Sequence, residues 1–272
     1  MLLELKDIKK YFYLKKGFLK KSVVKAIDGV DLQISEGENV GLVGESGCGK
    51  TTLARVAIKL ISADHGSIVF ENKEVTHLKQ RGFRLLRKSI QMVFQDPYSS
   101  LDPRFTIRHI MQEPMTLEQA LYKSPAKREE RVRDLLAAVD LKGDILNRYP
   151  HEFSGGERQR IAIARSLVLN PKLLILDEAV SSLDILVQEQ IVHLLLDLQR
   201  KFNLTYLFIS HNLKVVQKIS HKIAVMYQGK MVEYGPAEVV FHKPLHPYTK
   251  ELLSAALEYK VYPKTSGSGL NK

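Results

Sequence analysis

The chain has 272 residues, 44% of them hydrophobic, and a net charge of +11. That length and apolar content fit one large α/β domain with a smaller subdomain. The single cysteine, Cys48, excludes an intrachain disulfide or a cysteine cluster, and no apolar run approaches the roughly 20 residues needed to span a bilayer.

The basic balance favours acidic partners: nucleotides, nucleic acid or anionic membrane surfaces. Its densest part is N-terminal, where Lys6, Lys9, Lys10, Lys15, Lys16, Lys20, Lys21 and Lys25 cluster. Such a run is either a solvated loop or a membrane-facing surface. Leu2 to Ile8 and Val24 to Ile34 read as strands joined by this lysine-rich hairpin. Met1 to Asp7 mixes apolar and charged residues as a strand does and a signal peptide does not, so a cytoplasmic protein is expected.

Asn39 to Val43 reads as a short buried strand, and Thr52 to Leu60 as a helix. Between them lies Gly44-Glu45-Ser46-Gly47-Cys48-Gly49-Lys50-Thr51, two glycines four residues apart followed by Lys and Thr. By chance such a match arises in about one chain of this size in a hundred. Strand, glycine loop and helix N-terminus are what phosphate binding needs. Glycines let backbone N–H groups turn inward around an anion, and the helix dipole adds positive potential. Lys50 can reach terminal phosphates, and the Thr51 hydroxyl can ligate Mg²⁺. A thiol at a helix N-terminus has a lowered pKa, so Cys48 is expected to be open to oxidation.

Ser67 to Phe70 and Ile90 to Phe94 read as further strands, the second followed by Gln95. Glu129 to Leu141 has helical spacing, with Val132, Leu135, Leu136 and Val139 on one face. Ser154-Gly155-Gly156-Glu157 matches a capping box and opens a helix through Leu167. Its glycines leave the helix end unblocked, so it is either an ordinary cap or a second anion site. Leu173 to Leu176 is a continuous apolar run, as in a parallel sheet, and it ends in Asp177-Glu178. Carboxylates at the C-terminal end of such a strand stand where open α/β sheets bind ligands. Asp177 suits Mg²⁺, and Glu178 suits orienting or deprotonating an attacking water. Ile185 to Phe202 reads as a helix, and Leu204 to Ile209 as a strand followed by Ser210-His211. If that strand neighbours the Asp177 strand, His211 reaches the same site. If both sites bind phosphate, they are more than one nucleotide needs, and the Ser154 site would serve a nucleotide held by another subunit.

In these motifs, their order and their spacing, the chain resembles the ATP-binding subunits of ABC transporters over nearly its whole length. The resemblance implies a P-loop NTPase core with a mainly parallel sheet, an N-terminal antiparallel β subdomain and a helical signature subdomain. It implies an ATP-binding domain over 1–240, with the helical part about 97–158. Residues 241–272 would form an extension ending in a disordered tail, Lys264 to Lys272. Gly44 to Thr52 would bind the triphosphate, and Phe12, which adjoins Tyr11 and Tyr13, would stack on adenine. Thr51, Gln95 and Asp177 would hold Mg²⁺; Glu178, His211 and Gln95 would act in hydrolysis. Ser154, Gly155, Gly156 and Glu157 would bind ATP across a head-to-tail dimer whose interface is crossed by the loop of Asp184. Glu157 stands where Gln is commoner, and the capping box turns it back onto its own helix.

Gln95-Asp-Pro-Tyr-Ser-Ser-Leu-Asp-Pro103 and Pro244-Leu-His-Pro-Tyr-Thr-Lys-Glu-Leu-Leu-Ser-Ala255 resemble the peptide and nickel importer ATPases. Ala179, where many relatives have Pro, leans towards nickel or metallophore importers. The implied partners are transmembrane permease subunits, a second ATPase subunit and, indirectly, an extracytoplasmic solute-binding protein, with no nucleic acid. The implied place is the cytoplasmic face of the membrane. The alternative is a soluble ATPase of the same family acting in translation or DNA repair. Translation types usually carry two cassettes and repair types a long coiled coil; neither pattern occurs here. A non-hydrolysing regulatory module is disfavoured by Glu178 and His211.

Overall fold

A computed structural model describes residues 1–16, 20–84, 86–96 and 100–258. The expected tail at Lys264 to Lys272 lies outside them, as do residues 97–99 of the segment after Gln95. Two sheets organise the chain. The first is antiparallel, in the order β2-β1-β4-β5, from β1 (Leu3–Lys16), β2 (Lys20–Ile34), β4 (His65–Phe70) and β5 (Lys73–Glu74). The strand expected over Leu2 to Ile8 is thus much longer. It pairs with β2 from Leu3↔Ile34 through Phe12↔Val24 to Tyr13↔Val23 and beyond. Aromatic and β-branched residues facing each other across an antiparallel pair stabilise such a ribbon.

The second sheet has the order β10-β9-β3-β8-β7-β6. Its strands are β3 (Asn39–Val43), β6 (Ile90–Val93), β7 (Leu173–Asp177), β8 (Thr205–Ile209), β9 (Lys222–Tyr227) and β10 (Lys230–Pro236). All pairs are parallel except the β9–β10 edge. Alternation along β7 divides its run between two cores. Leu174 and Leu176 face the cluster that holds the helices, while Leu173 and Ile175 face the cluster of the antiparallel sheet. Burial on both faces explains the unbroken apolar run, and each such side chain contributes about 1.5–3 kcal/mol.

On the antiparallel side lies α1 (Lys50–Ala57). It stops short of the expected Leu60. Lys59 turns left-handed (φ +51), and its ammonium donates to the backbone oxygens of Val75 and Leu78, each at 3.0 Å. A short helix, α2 (Gln80–Phe83), follows. On the other side pack α3 (Ile107–Gln112), α4 (Pro125–Ala138), α5 (Gly155–Ser166) and α6 (Ile185–Phe202). The described residues from Ser100 to Arg158 hold helical segments and no strand. Val132, Leu135, Leu136 and Val139 are fully buried there. α4 starts earlier than expected because Pro125 suits a first helical turn, and it ends before Asp140 goes left-handed (φ +58). α7 (Leu213–Ile219), α8 (Ala237–His242) and α9 (Pro247–Glu258) complete the described residues.

Parallelism sets the site. β3, β7 and β8 run side by side, so the loops that leave their C-terminal ends open at one edge of the sheet. Those loops carry Gly44 to Gly49, Asp177-Glu178 and Ser210-His211.

Candidate functional site

The glycine loop leaves β3 and ends at Gly49, the N-cap of α1, with φ +111. A Cβ there would stand 2.1 Å from the Ala26 oxygen, so both conformation and space require glycine. Lys50 is 5% exposed, and its ammonium donates to the backbone oxygens of Gly44 (2.7 Å) and Glu45 (2.8 Å). The Glu45 N–H donates to the hydroxyl of Tyr248 at 2.9 Å, and the Cys48 oxygen accepts from the Gly229 N–H at 3.0 Å. Cys48 departs from expectation. It is buried within the loop, and that burial pushes its thiol pKa up despite the nearby Lys50 ammonium. Desolvation outweighs the charge that would favour a thiolate.

The Thr51 hydroxyl donates to Asp177 Oδ1 at 3.1 Å, joining the loop to the end of β7. Burial pushes the Asp177 carboxyl up, the Thr51 hydrogen bond pulls it down, and the neighbouring Glu178 charge adds to the rise. Burial and the acidic neighbour outweigh the Thr51 hydroxyl and the Arg55 and Lys50 charges, so this carboxylate gains from further positive charge. A divalent cation would supply it. Among the described residues no three His, Cys, Asp or Glu side chains form a protein cage for a metal. A hydroxyl and a carboxylate beside a phosphate loop are instead the donor set that suits Mg²⁺, which takes its remaining ligands from phosphate and water.

Glu178 takes a left-handed backbone (φ +50) as the chain leaves β7. Its N–H donates to the Ile209 oxygen at 2.9 Å, and its own oxygen accepts the Ser181 hydroxyl at 2.9 Å. A non-glycine residue fixed in that region by its surroundings is a mark of functional sites. Gln95 Nε2 donates to Glu178 Oε2 at 3.0 Å, and His211 Nδ1 stands 3.5 Å from the same oxygen. The Asp177↔Ile209 register makes β8 the neighbour of β7 and brings His211 there. Thr51, Arg55, Gln95, Asp96 and Asp177 share the lining of a cleft of about 470 Å³.

Ser154, Gly155, Gly156 and Glu157 lie apart from this group. Ser154 caps α5, accepting from the Glu157 N–H at 3.3 Å. Glu157 Oε2 accepts from the Ser154 N–H (2.9 Å) and hydroxyl (2.8 Å), which holds its carboxyl below the usual range. A Cβ at Gly156 would meet Val187 at 2.8 Å, so glycine lets α5 pack closely against the start of α6. Asp184 caps α6 through the Val187 N–H at 3.0 Å, which sets its loop beside the Ser154 turn. Among the described residues no hydrogen bond or ion pair joins Ser154 to Glu157 with Gly44 to Thr52. Of the three aromatics on β1, Tyr11 donates its hydroxyl to Asp28, and Tyr13 is 67% exposed. Phe12 is 40% exposed, with the Lys10 ammonium 5.6 Å from its ring centre. The phosphate-loop contact of Tyr248 has no local sequence signal, because 203 positions separate it from Glu45.

Residues 27–181 match the family model described as ABC transporter. The chain is 50% identical over 257 residues to the oligopeptide transport ATP-binding protein AppF of Bacillus subtilis, covering 93% of this chain and 78% of that protein. It is 47% identical over 260 residues to the oligopeptide transport ATP-binding protein OppF of Escherichia coli, covering 94% and 77%. The structure superposes on the dimeric ATP-binding cassette MJ0796 bound to ADP and Pi with a TM-score of 0.78 and 26% identity, covering 87% of this chain and 99% of that one.

Proposed function

The chain belongs to the ABC transporter family, among the ATP-binding subunits of its peptide importers, and from that premise we propose how its residues work and what it carries. It is an ATPase whose hydrolysis energises import of a small solute. The comparisons give no support to a role in translation or DNA repair. The observation that carries the mechanism is the convergence of Lys50, Thr51, Gln95, Asp177, Glu178 and His211 at one edge of the parallel sheet.

In this reading Gly44 to Thr52 cradle the phosphates with their backbone N–H groups. Lys50 trades its bonds to the Gly44 and Glu45 oxygens for the terminal phosphates. Phe12 stacks on the adenine, since Tyr11 is tied to Asp28 and Phe12 presents a partly exposed ring. Thr51, Asp177 and Gln95 would hold Mg²⁺, which would offset charge developing on the phosphates. Glu178 takes the proton of the attacking water, with Gln95 and His211 placed around its carboxylate. Ser154 to Glu157 bind the ATP held by a second ATPase subunit, and Asp184 lines the same interface. Glu157 serves this site indirectly, since its carboxylate is spent on its own cap.

We assign residues 1–240 to the ATP-binding domain, with the helical part at about 97–158, and residues 241–272 to an extension. The permease subunits dock beside the segment that follows Gln95. There a cleft of about 630 Å³ opens between Ser100 to Pro103 and Phe105 to Glu113. Among the described residues no helix is long and apolar enough to cross a membrane. In this reading the permease partners hold the chain at the cytoplasmic face of the membrane. We take the solute to be an oligopeptide, on the strength of the AppF and OppF relatives, rather than the nickel or metallophore suggested by Ala179. A strain lacking this chain, and auxotrophic for an amino acid supplied only within a tetrapeptide, is expected not to grow. The wild-type chain should restore growth, and the Glu178→Gln form should not. Normal growth on the peptide, combined with lost nickel uptake, would reverse the assignment of solute.

A further inference from the structure

The segment Pro244 to Thr249 folds back beneath the phosphate loop. On β10 the Glu233 carboxylate accepts the backbone N–H groups of Leu245 (2.9 Å) and His246 (3.0 Å). His246 Nδ1 accepts the Tyr248 N–H at 3.2 Å, satisfying a donor in the first turn of α9 that has no partner within the helix. Pro247 opens that helix, where its missing N–H is not needed. The His-Pro-Tyr run thus aims Tyr248 inward. Its side chain is 6% exposed, and its ring stacks 4.2 Å from that of Tyr227. Its hydroxyl accepts the Glu45 N–H at 2.9 Å. Burial pushes the phenol pKa up, so the hydroxyl stays neutral while accepting. Tyr227 ends β9, two residues before Gly229, whose N–H holds the Cys48 oxygen. The phosphate loop is therefore gripped near both ends by the C-terminal part of the chain.

We propose that Tyr248 is a positioning residue of the nucleotide site, its hydroxyl fixing the Glu45 amide so that the phosphate loop keeps its binding shape before nucleotide arrives. The proposal rests on the reading of that loop as the ATP site. A loop ordered in advance loses less conformational freedom on binding, and that saving appears as affinity. The effect belongs to the hydroxyl alone. Tyr248→Phe retains the stack on Tyr227 and the helix start, and removes only the acceptor for Glu45.

In Tyr248→Phe the dissociation constant for Mg-ATP should rise about three- to tenfold, the fold-change of one lost neutral hydrogen bond. Turnover at saturating ATP should stay within about twofold of wild type, because the bond is present in ground state and transition state alike. Without nucleotide, the melting temperature should fall by no more than about 4 °C, while backbone amides of Gly44 to Gly49 exchange faster with solvent deuterium. Tyr234→Phe is the control, since it deletes a hydroxyl that donates to the Gln33 oxygen at 2.6 Å. Its affinity should match wild type. Wild-type protein that fails to bind Mg-ATP would remove the reading of the loop itself. Wild-type binding with unchanged affinity in Tyr248→Phe would overturn the role of Tyr248 alone. So would weakened affinity without faster loop exchange, or an equal loss in Tyr234→Phe.

Discussion

Replacing Glu178 with Gln is expected to lower ATP turnover by about 10²–10⁴, the usual scale for loss of a general base, with nucleotide affinity retained. The substitution is close to isosteric. An amide at position 178 keeps one oxygen to accept from Gln95 Nε2, so the contact now 3.0 Å long survives. The left-handed backbone is held by Ile209 and Ser181 rather than by the carboxylate, so it also survives. What disappears is the capacity to take a proton from water. Asp177 does not substitute, because its Oδ1 is engaged by Thr51 and its carboxyl is buried. A steady-state phosphate-release assay beside an equilibrium titration separates the two effects. Hydrolysis at the wild-type rate in Glu178→Gln would remove Glu178 from the chemistry.

Lys50→Ala should weaken Mg-ATP binding by about 10- to 150-fold, which corresponds to losing one hydrogen bond to a charged group. The side chain has two successive tasks. Without nucleotide, its ammonium draws the Gly44 and Glu45 oxygens together at 2.7 and 2.8 Å. With nucleotide, it is expected to turn to the phosphates. Lys50→Arg should fare little better although it keeps the charge. The guanidinium is a planar fork and does not replace a compact ammonium in a site only 5% exposed. Calorimetric titration of both variants checks this. Affinity equal to wild type in Lys50→Ala would show that the glycine loop is not where nucleotide binds.

The parts of the fold that sequence exposes are those with local causes. The Leu173 to Leu176 run is continuous because both faces of β7 are covered, and α6 begins and ends where its periodicity does. The Ser154–Glu157 cap is spelled out by residues three apart. The glycine loop is legible because its strained backbone admits few residue types. Contacts set by distant parts of the chain are not legible in this way. The β1–β2 ribbon runs well past Ile8 because pairing, not the β1 sequence, sets its length. Lys59 ends α1 early through carbonyls contributed from Val75 and Leu78. Cys48 misleads for the same reason: its position in the sequence predicts a lowered thiol pKa, and the packing around it raises that pKa instead. Tyr248 reads in sequence only as part of a family signature, and its contact with Glu45 emerges when β9, β10 and α9 are folded together.

We propose that the site is completed between two subunits. Each helix N-terminus contributes only about 0.3–1 kcal/mol through its dipole, too little to hold two subunits together without ligand. Closure must then depend on ATP filling the interface, with hydrolysis releasing it. The solution mass of the Glu178→Gln protein is measured by light scattering, with and without Mg-ATP, alone and mixed with candidate partner ATPase subunits. ATP should drive a dimer, twice the 30.9 kDa of the chain if it pairs with itself, and Ser154→Arg in the subunit that faces the nucleotide should abolish it. A trapped, ATP-loaded protein that stays monomeric with every such partner would contradict the claim.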